Sequence, residues 1–183
     1  MDLDHFGLIA PIYARATYGS VEQMREAARL PVKGRLLDIG GGTGRVASAL
    51  RGLVDEIVIS DISMGMLRRA PLTTLKPACC FSESLPFPSD SFERVIMVDA
   101  LHHVVDQPAT ASEMLRVVKP GGLLVIEEPD IRTFPVKLIA LAEKLLFMRS
   151  HFLSPAQIAS LFPAVKTTII NKNNGAWIVV EKP

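Results

Sequence analysis

Leu36-Leu37-Asp38-Ile39-Gly40-Gly41-Gly42-Thr43-Gly44 decides the fold. The apolar residues around Asp38 read as a buried strand, the glycines impose a tight turn, and the residues after Gly44 resume with helical spacing. Strand, glycine turn and helix in that order open a βαβ unit. Glycine tolerates positive φ and lets a ligand touch the backbone, so this loop turns N–H groups toward a bound molecule.

The same alternation continues downstream. Short apolar segments at 35–39, 56–60, 77–81, 94–98 and 123–127 are predicted strands, uniformly apolar as a sheet covered on both faces requires. Helices are expected at 43–51, 63–69 and 106–118, the last capped by Asp106 with Pro108 in its first turn and stopped by a Pro120-Gly121-Gly122 turn. A very apolar helix follows over 136–148, then a capping box at Ser154-Pro155-Ala156-Gln157. Two last strands, near 165–170 and 176–180, are separated by a linker short enough for an antiparallel hairpin. Upstream, Ser20-Val21-Glu22-Gln23 has the form of a capping box starting a helix to about residue 30. The fold class is α/β: a doubly wound, Rossmann-like, seven-stranded sheet, mostly parallel, with an antiparallel C-terminal hairpin. Residues 1–183 are expected to form one domain, with an N-terminal helical extension or lid (1–33), a cofactor-binding core (34–130), and acceptor-side helices with the hairpin (131–183).

Composition narrows the function. Twenty basic and nineteen acidic residues leave a net charge of +1 with no basic run, which argues against nucleic acid as a partner. A hydrophobic fraction of 49% and a mean hydropathy of +0.29 suggest a generous core and an apolar pocket. The acidic N-terminus is unlike a secretory signal and no apolar stretch is long enough to span a bilayer, so a cytoplasmic protein without stable membrane insertion is expected. Cys79 and Cys80 are chain neighbours, too close to bridge, and read as reduced residues of a buried strand. Nothing at ligand spacing accompanies them, and no metal site is expected.

On the glycines alone two cofactor classes stay open, because Gly42-Thr43-Gly44-Arg45-Val46-Ala47 also satisfies the dinucleotide pattern. Asp61, at the end of the second strand, could accept from ribose hydroxyls of either. Asp38 separates them: a carboxylate just before the glycines repels a pyrophosphate and favours a cationic amino-acid group. Its competing role is as a cap for the following loop.

Residues 36–44 (LLDIGGGTG), 57–67 (IVISDISMGML), 84–104 (SLPFPSDSFERVIMVDALHHV) and 113–129 (EMLRVVKPGGLLVIEEP) together resemble, in order, the motifs of class I S-adenosylmethionine-dependent methyltransferases. Residues 6–16 and 153–162 add weaker likeness. The resemblance implies S-adenosylmethionine as cofactor, contacted by the backbone of Gly40, Gly41 and Gly42, with Asp38 near its amine and Asp61 on its ribose. It implies Ile62 against one adenine face with Leu85 behind the other, Asp99 in the cofactor set, and Tyr13, with Tyr18, in a lid. Phe81 stands where the family often has an acid for the adenine amine, so adenine recognition falls to the backbone around Ser82, to Glu83, or to stacking on Phe81. His103, with His102 beside it, is the candidate general base if the acceptor must lose a proton. The helix at 136–148 serves as the roof of an acceptor pocket, or equally as a core helix or homodimer contact. The function implied is methyl transfer to a small apolar or aromatic molecule, of the quinone-ring type; a non-catalytic cofactor-binding subunit and an NAD-dependent oxidoreductase are the alternatives.

Overall fold

The computed structural model describes residues 21–145 and 150–183. A short helix, α1 (Val21–Ala27), leads into β1 (Arg35–Ile39), which pairs in parallel with β2 (Glu56–Asp61) on one side and β4 (Phe92–Val98) on the other. Between them lie α2 (Arg45–Ala49), α3 (Met64–Leu67) and the edge strand β3 (Lys76–Cys79). A 3₁₀ turn at Leu101–His103 and α4 (Gln107–Val117) lead to β5 (Val118–Pro129), followed by α5 (Phe134–Leu145), α6 (Pro155–Ser160), β6 (Lys166–Lys172) and β7 (Gly175–Glu181). The seven strands form one sheet in the order β3-β2-β1-β4-β5-β7-β6, with β7 antiparallel to both neighbours. Strand order reverses between β1 and β4, which opens a crevice at the carboxyl ends of these strands.

Two-residue periodicity divides the core. Leu37, Ile39, Val95, Met97, Leu124 and Ile126 face Met114 and Val117 of α4 and Ile158 of α6, while Leu36, Ile96, Leu123 and Val125 face Met24, Ala47, Leu50 and Leu67 on the opposite side. Both layers are needed because central strands covered on two faces have no wet side. Among the described residues, no helix is long and apolar enough to cross a membrane.

The expected caps form: Asp106 accepts from the Ala109 N–H, and Ser154 and Gln157 make a reciprocal capping box. The one expected at Ser20 includes a position outside the described residues. Three expectations are corrected. Pro120, Gly121 and Gly122 do not end an element but lie inside β5 as an irregularity, where the partner of Phe92 is Val118 and that of Arg94 is already Leu123. Gly121, at φ 73°, absorbs the sharp change of direction. The cysteines are free, but Cys79 is exposed and Cys80 half-buried, because β3 is an edge strand and not a buried one. The helix at 136–148 is described as far as Leu145; it buries only Val136 and Glu143 there.

Phe92 anchors this arrangement. Fully buried, it meets Phe87 edge-on at 5.2 Å and lies under the Arg35 guanidinium at 4.7 Å. Phe92→Ala is expected to cost about 3–5 kcal/mol, lowering Tm by roughly 6–20 °C in a chain of this size. Thermal unfolding followed by circular dichroism checks this; a Tm unchanged within a degree or two would refute the packing role.

Candidate functional site

The glycine turn leaves β1 at the switch point. Gly40 (φ 70°) and Gly42 (φ 54°) take conformations that L side chains rarely adopt, and a Cβ on Gly40 would stand 2.6 Å from that of Ala100. Asp61 holds the loop from β2: its Oδ2 accepts from the Gly42 N–H at 2.9 Å and its Oδ1 from the Ser63 N–H at 2.8 Å. Beneath the turn Asp38 is 2% exposed, and its Oδ2 has no hydrogen-bond partner. Burial, and secondarily the Asp61 charge, push its pKa up to about 7, against an opposing pull from Arg45.

The facing wall comes from β4, β5 and the turn after β4. Glu128 is buried at the end of β5, where Oε1 accepts from the N–H groups of Ala100 (2.9 Å) and Leu101 (2.7 Å), and Oε2 from His102 Nδ1 (2.6 Å). Burial of His102 opposes its charging, but the Glu128 carboxylate outweighs that and raises its pKa. His103, half-buried and beside His102, has its pKa lowered to about 3, chiefly by desolvation, and is a neutral imidazole at ordinary pH. Asp99, at the positive φ of 53°, and Glu127 are both raised chiefly by burial, to about 6 and about 7. Glu127 Oε1 also lacks a hydrogen-bond partner.

Between these walls lies a cavity of about 270 Å³, near the lower end of small-molecule sites. It brings together Asp38, Gly40, Gly41, Gly42, Asp61, Ile62, Ser82, Glu83, Asp99 and His103, which are far apart in sequence. Tyr13 and Tyr18 lie outside the described residues. Ile62 is 59% exposed and Phe81 62%, so neither is core; both present apolar surface along the cavity. Leu85 is a correction: it is buried in the core under α4, with its N–H donating to Glu113, and does not line the cavity. Among the described residues none after Val105 lines the cavity, and the apolar helix, described as far as Leu145, does not reach it over that span. Glu83 carries a structural duty absent from the sequence reading, its Oε1 accepting from the N–H groups of Val105 (3.1 Å) and Asp106 (3.3 Å) to tie the two rims together. Arg45, Met66 and Val105 are lining residues that sequence reasoning missed. Arg45 could have been found, because it directly follows the last glycine of the loop.

The sequence model of the family described as "Methyltransferase domain" matches residues 15–179. A curated relative, the ubiquinone/menaquinone biosynthesis C-methyltransferase UbiE of Coxiella burnetii, is 39% identical over 111 residues, a match covering 55% of this chain and 44% of the relative. The chain thus spans about half the length of the curated relatives it matches. Among solved structures, the YcgJ protein of Bacillus subtilis superimposes with a TM-score of 0.73 at 25% identity, covering 82% of this chain and 70% of that one. An S-adenosylmethionine-dependent methyltransferase of Thermotoga maritima superimposes with a TM-score of 0.78 at 20% identity over 97% and 98%, a likeness of fold.

Asp38 yields a prediction of sign. In the folded chain it keeps its proton up to about 7, whereas unfolded it loses it near 3.8, so between these values the folded state binds more protons and stability falls as pH rises. Asp38→Asn removes that loss: it is expected to melt above the wild type at pH 8, with the gap closing toward pH 4. A Tm difference that stays flat across this range would contradict the raised pKa.

Proposed function

The chain belongs to the methyltransferase domain family, and on that premise we propose that it binds S-adenosylmethionine and transfers a methyl group to a small apolar or aromatic molecule. The observation that carries the reading is Asp38, a buried carboxylate with an unpartnered oxygen beneath a glycine cradle. A group with a cationic amine satisfies that oxygen; a pyrophosphate does not, which disfavours a nicotinamide dinucleotide. When bound, S-adenosylmethionine supplies an activated sulfonium methyl. Asp38 would meet the amine, and the Asp61 oxygens, each already accepting one N–H, keep lone pairs for ribose hydroxyls. Ile62 and Phe81 offer apolar surface for the adenine in place of the family's acid.

The acceptor end is assigned to the Asp99–His103 wall. Here the chain's task is to hold donor and acceptor in line and to keep water out, a contribution that can reach about 7–11 kcal/mol. With its proton affinity depressed, His103 is a feeble general base, and we assign it to hydrogen bonding along the acceptor. The relative named for ubiquinone and menaquinone biosynthesis supports a quinol-like aromatic ring as acceptor, with carbon as the methylated atom. We place the reaction in the cytoplasm; of the expected 1–33 lid, residues 21–33 pack into the core through Met24 and Ala28 and line none of the cavity.

Loss of one charge-assisted interaction of about 1.5–3 kcal/mol makes Asp61→Ala weaken S-adenosylmethionine binding roughly 10- to 100-fold by isothermal titration. Unchanged affinity would remove Asp61 from the site. Because a cationic amine needs Asp38 ionised, wild-type affinity is expected to rise from pH 6 to pH 8. The activity itself is tested by S-adenosylhomocysteine release with a panel of hydroquinones. Binding of the cofactor without turnover on any acceptor would favour the non-catalytic alternative, and thermal stabilisation by NAD alone would overturn the reading.

A further inference from the structure

The helix α5 is turned the wrong way for a purely apolar contact. It exposes Phe134, Leu138, Leu141 and Leu145 while burying Glu143, which is 7% exposed. Glu143 points toward the histidine pair: one ligating atom each from His102, His103 and Glu143 lie within 4.8 Å of one another. Side-chain adjustments of about an ångström would bring these atoms to the edge of a zinc tetrahedron, about 3.4 Å.

The surroundings of the two rings are those of ligands held for a metal. Glu128 grips His102 Nδ1 at 2.6 Å, which leaves Nε2 as the ring nitrogen for a ligand, and that carboxylate is itself locked by two backbone N–H groups. Phe152 stacks on the same ring at 4.3 Å and restrains its rotation. His103 has Ser150 Oγ at 3.3 Å from its Nδ1. Two imidazoles and one carboxylate suit a borderline divalent ion of the zinc class, and three protein ligands leave one coordination position open. His103 also lines the cavity, so the ion has an entry path.

We propose that His102, His103 and Glu143 form a binding site for one zinc-class divalent cation beside the acceptor wall. The inference does not rest on methyl transfer, since it is read by metal binding without cofactor or acceptor.

The test uses the full chain, stripped with chelator and then titrated with Zn²⁺ against a chromophoric competitor, and separately with Co²⁺ followed by visible absorption. One equivalent is expected to bind, Zn²⁺ raising the Tm and Co²⁺ giving the strong d–d bands of a low-coordinate site. Glu143→Gln, close to isosteric, and His103→Ala should each weaken Zn²⁺ binding at least 10-fold and abolish the Tm rise, while circular dichroism stays native. Glu128→Gln should weaken it about 10- to 100-fold through the orientation of His102. His151→Ala, at an exposed histidine, should leave binding unchanged. No stoichiometric binding by wild type would overturn the proposal, leaving a protonated His102 between two carboxylates as the reason for the cluster. So would binding that survives both Glu143→Gln and His103→Ala, or that is lost in His151→Ala.

Discussion

The carboxylate of Glu128 sets the geometry of the site. At the end of β5 it has no solvent to turn to, and its oxygens are satisfied by two backbone N–H groups of the turn after β4 and by the ring of His102. Hydrogen bonds to a charged group are worth about 1.5–3 kcal/mol each, enough to hold a three-residue 3₁₀ turn that has little stability of its own. The turn in turn positions Ala100 against Gly40, so the glycine loop and the opposite wall are brought to a fixed separation by one side chain.

Asp61 does the same on the other side of the switch point, bracing the glycine loop and the start of α3. Glu83 ties the rims. Each of these carboxylates is occupied with backbone, whereas Asp38 and Glu127, both buried, retain unpartnered oxygens. The division is physical: the acids that organise loops have their oxygens met by N–H donors, while Asp38 and Glu127, buried with an oxygen unmet, rise in pKa and become receptive to a cation. The pocket is built with a deficit that a ligand removes.

The fold was legible because it rests on local signals that survive packing. Periodicity, glycine turns and caps at Asp106 and Ser154 gave the succession of strands and helices and the antiparallel hairpin, since a parallel sheet covered on both faces admits few topologies. What escaped depended on neighbours distant in the chain. Leu85 looks like pocket wall by its place after the third strand, yet packing under α4 takes it into the core. Cys79 looks buried until β3 proves to be an edge. Glu128 is indistinguishable from a surface acid until the N–H groups it serves are known, and Glu83, singled out for the cofactor, gives no sign of the N–H groups it ties. The histidine pair is visible in sequence, but Glu143 stands forty residues further on, on a helix whose hydrophobicity suggests the opposite orientation.

Electrostatics rather than shape favours a cationic group in the crevice that the glycines leave open to either cofactor class. At an effective dielectric near 20, two unit charges 4 Å apart interact by about 4 kcal/mol, so each carboxylate at the cavity weighs more than a loop hydrogen bond. Asp38, Asp61, Glu83 and Asp99 line the space, and Arg45 is the cation among the lining residues. Asp61 and Glu83 are engaged with backbone, while Asp38 can take up or release its proton near neutrality. A diphosphate entering this space would add two negative charges to an already acidic wall. An α-ammonium reverses that sign, draws the proton from Asp38, and turns the burial that destabilises the free carboxylate into the low-dielectric setting in which the ion pair is strongest.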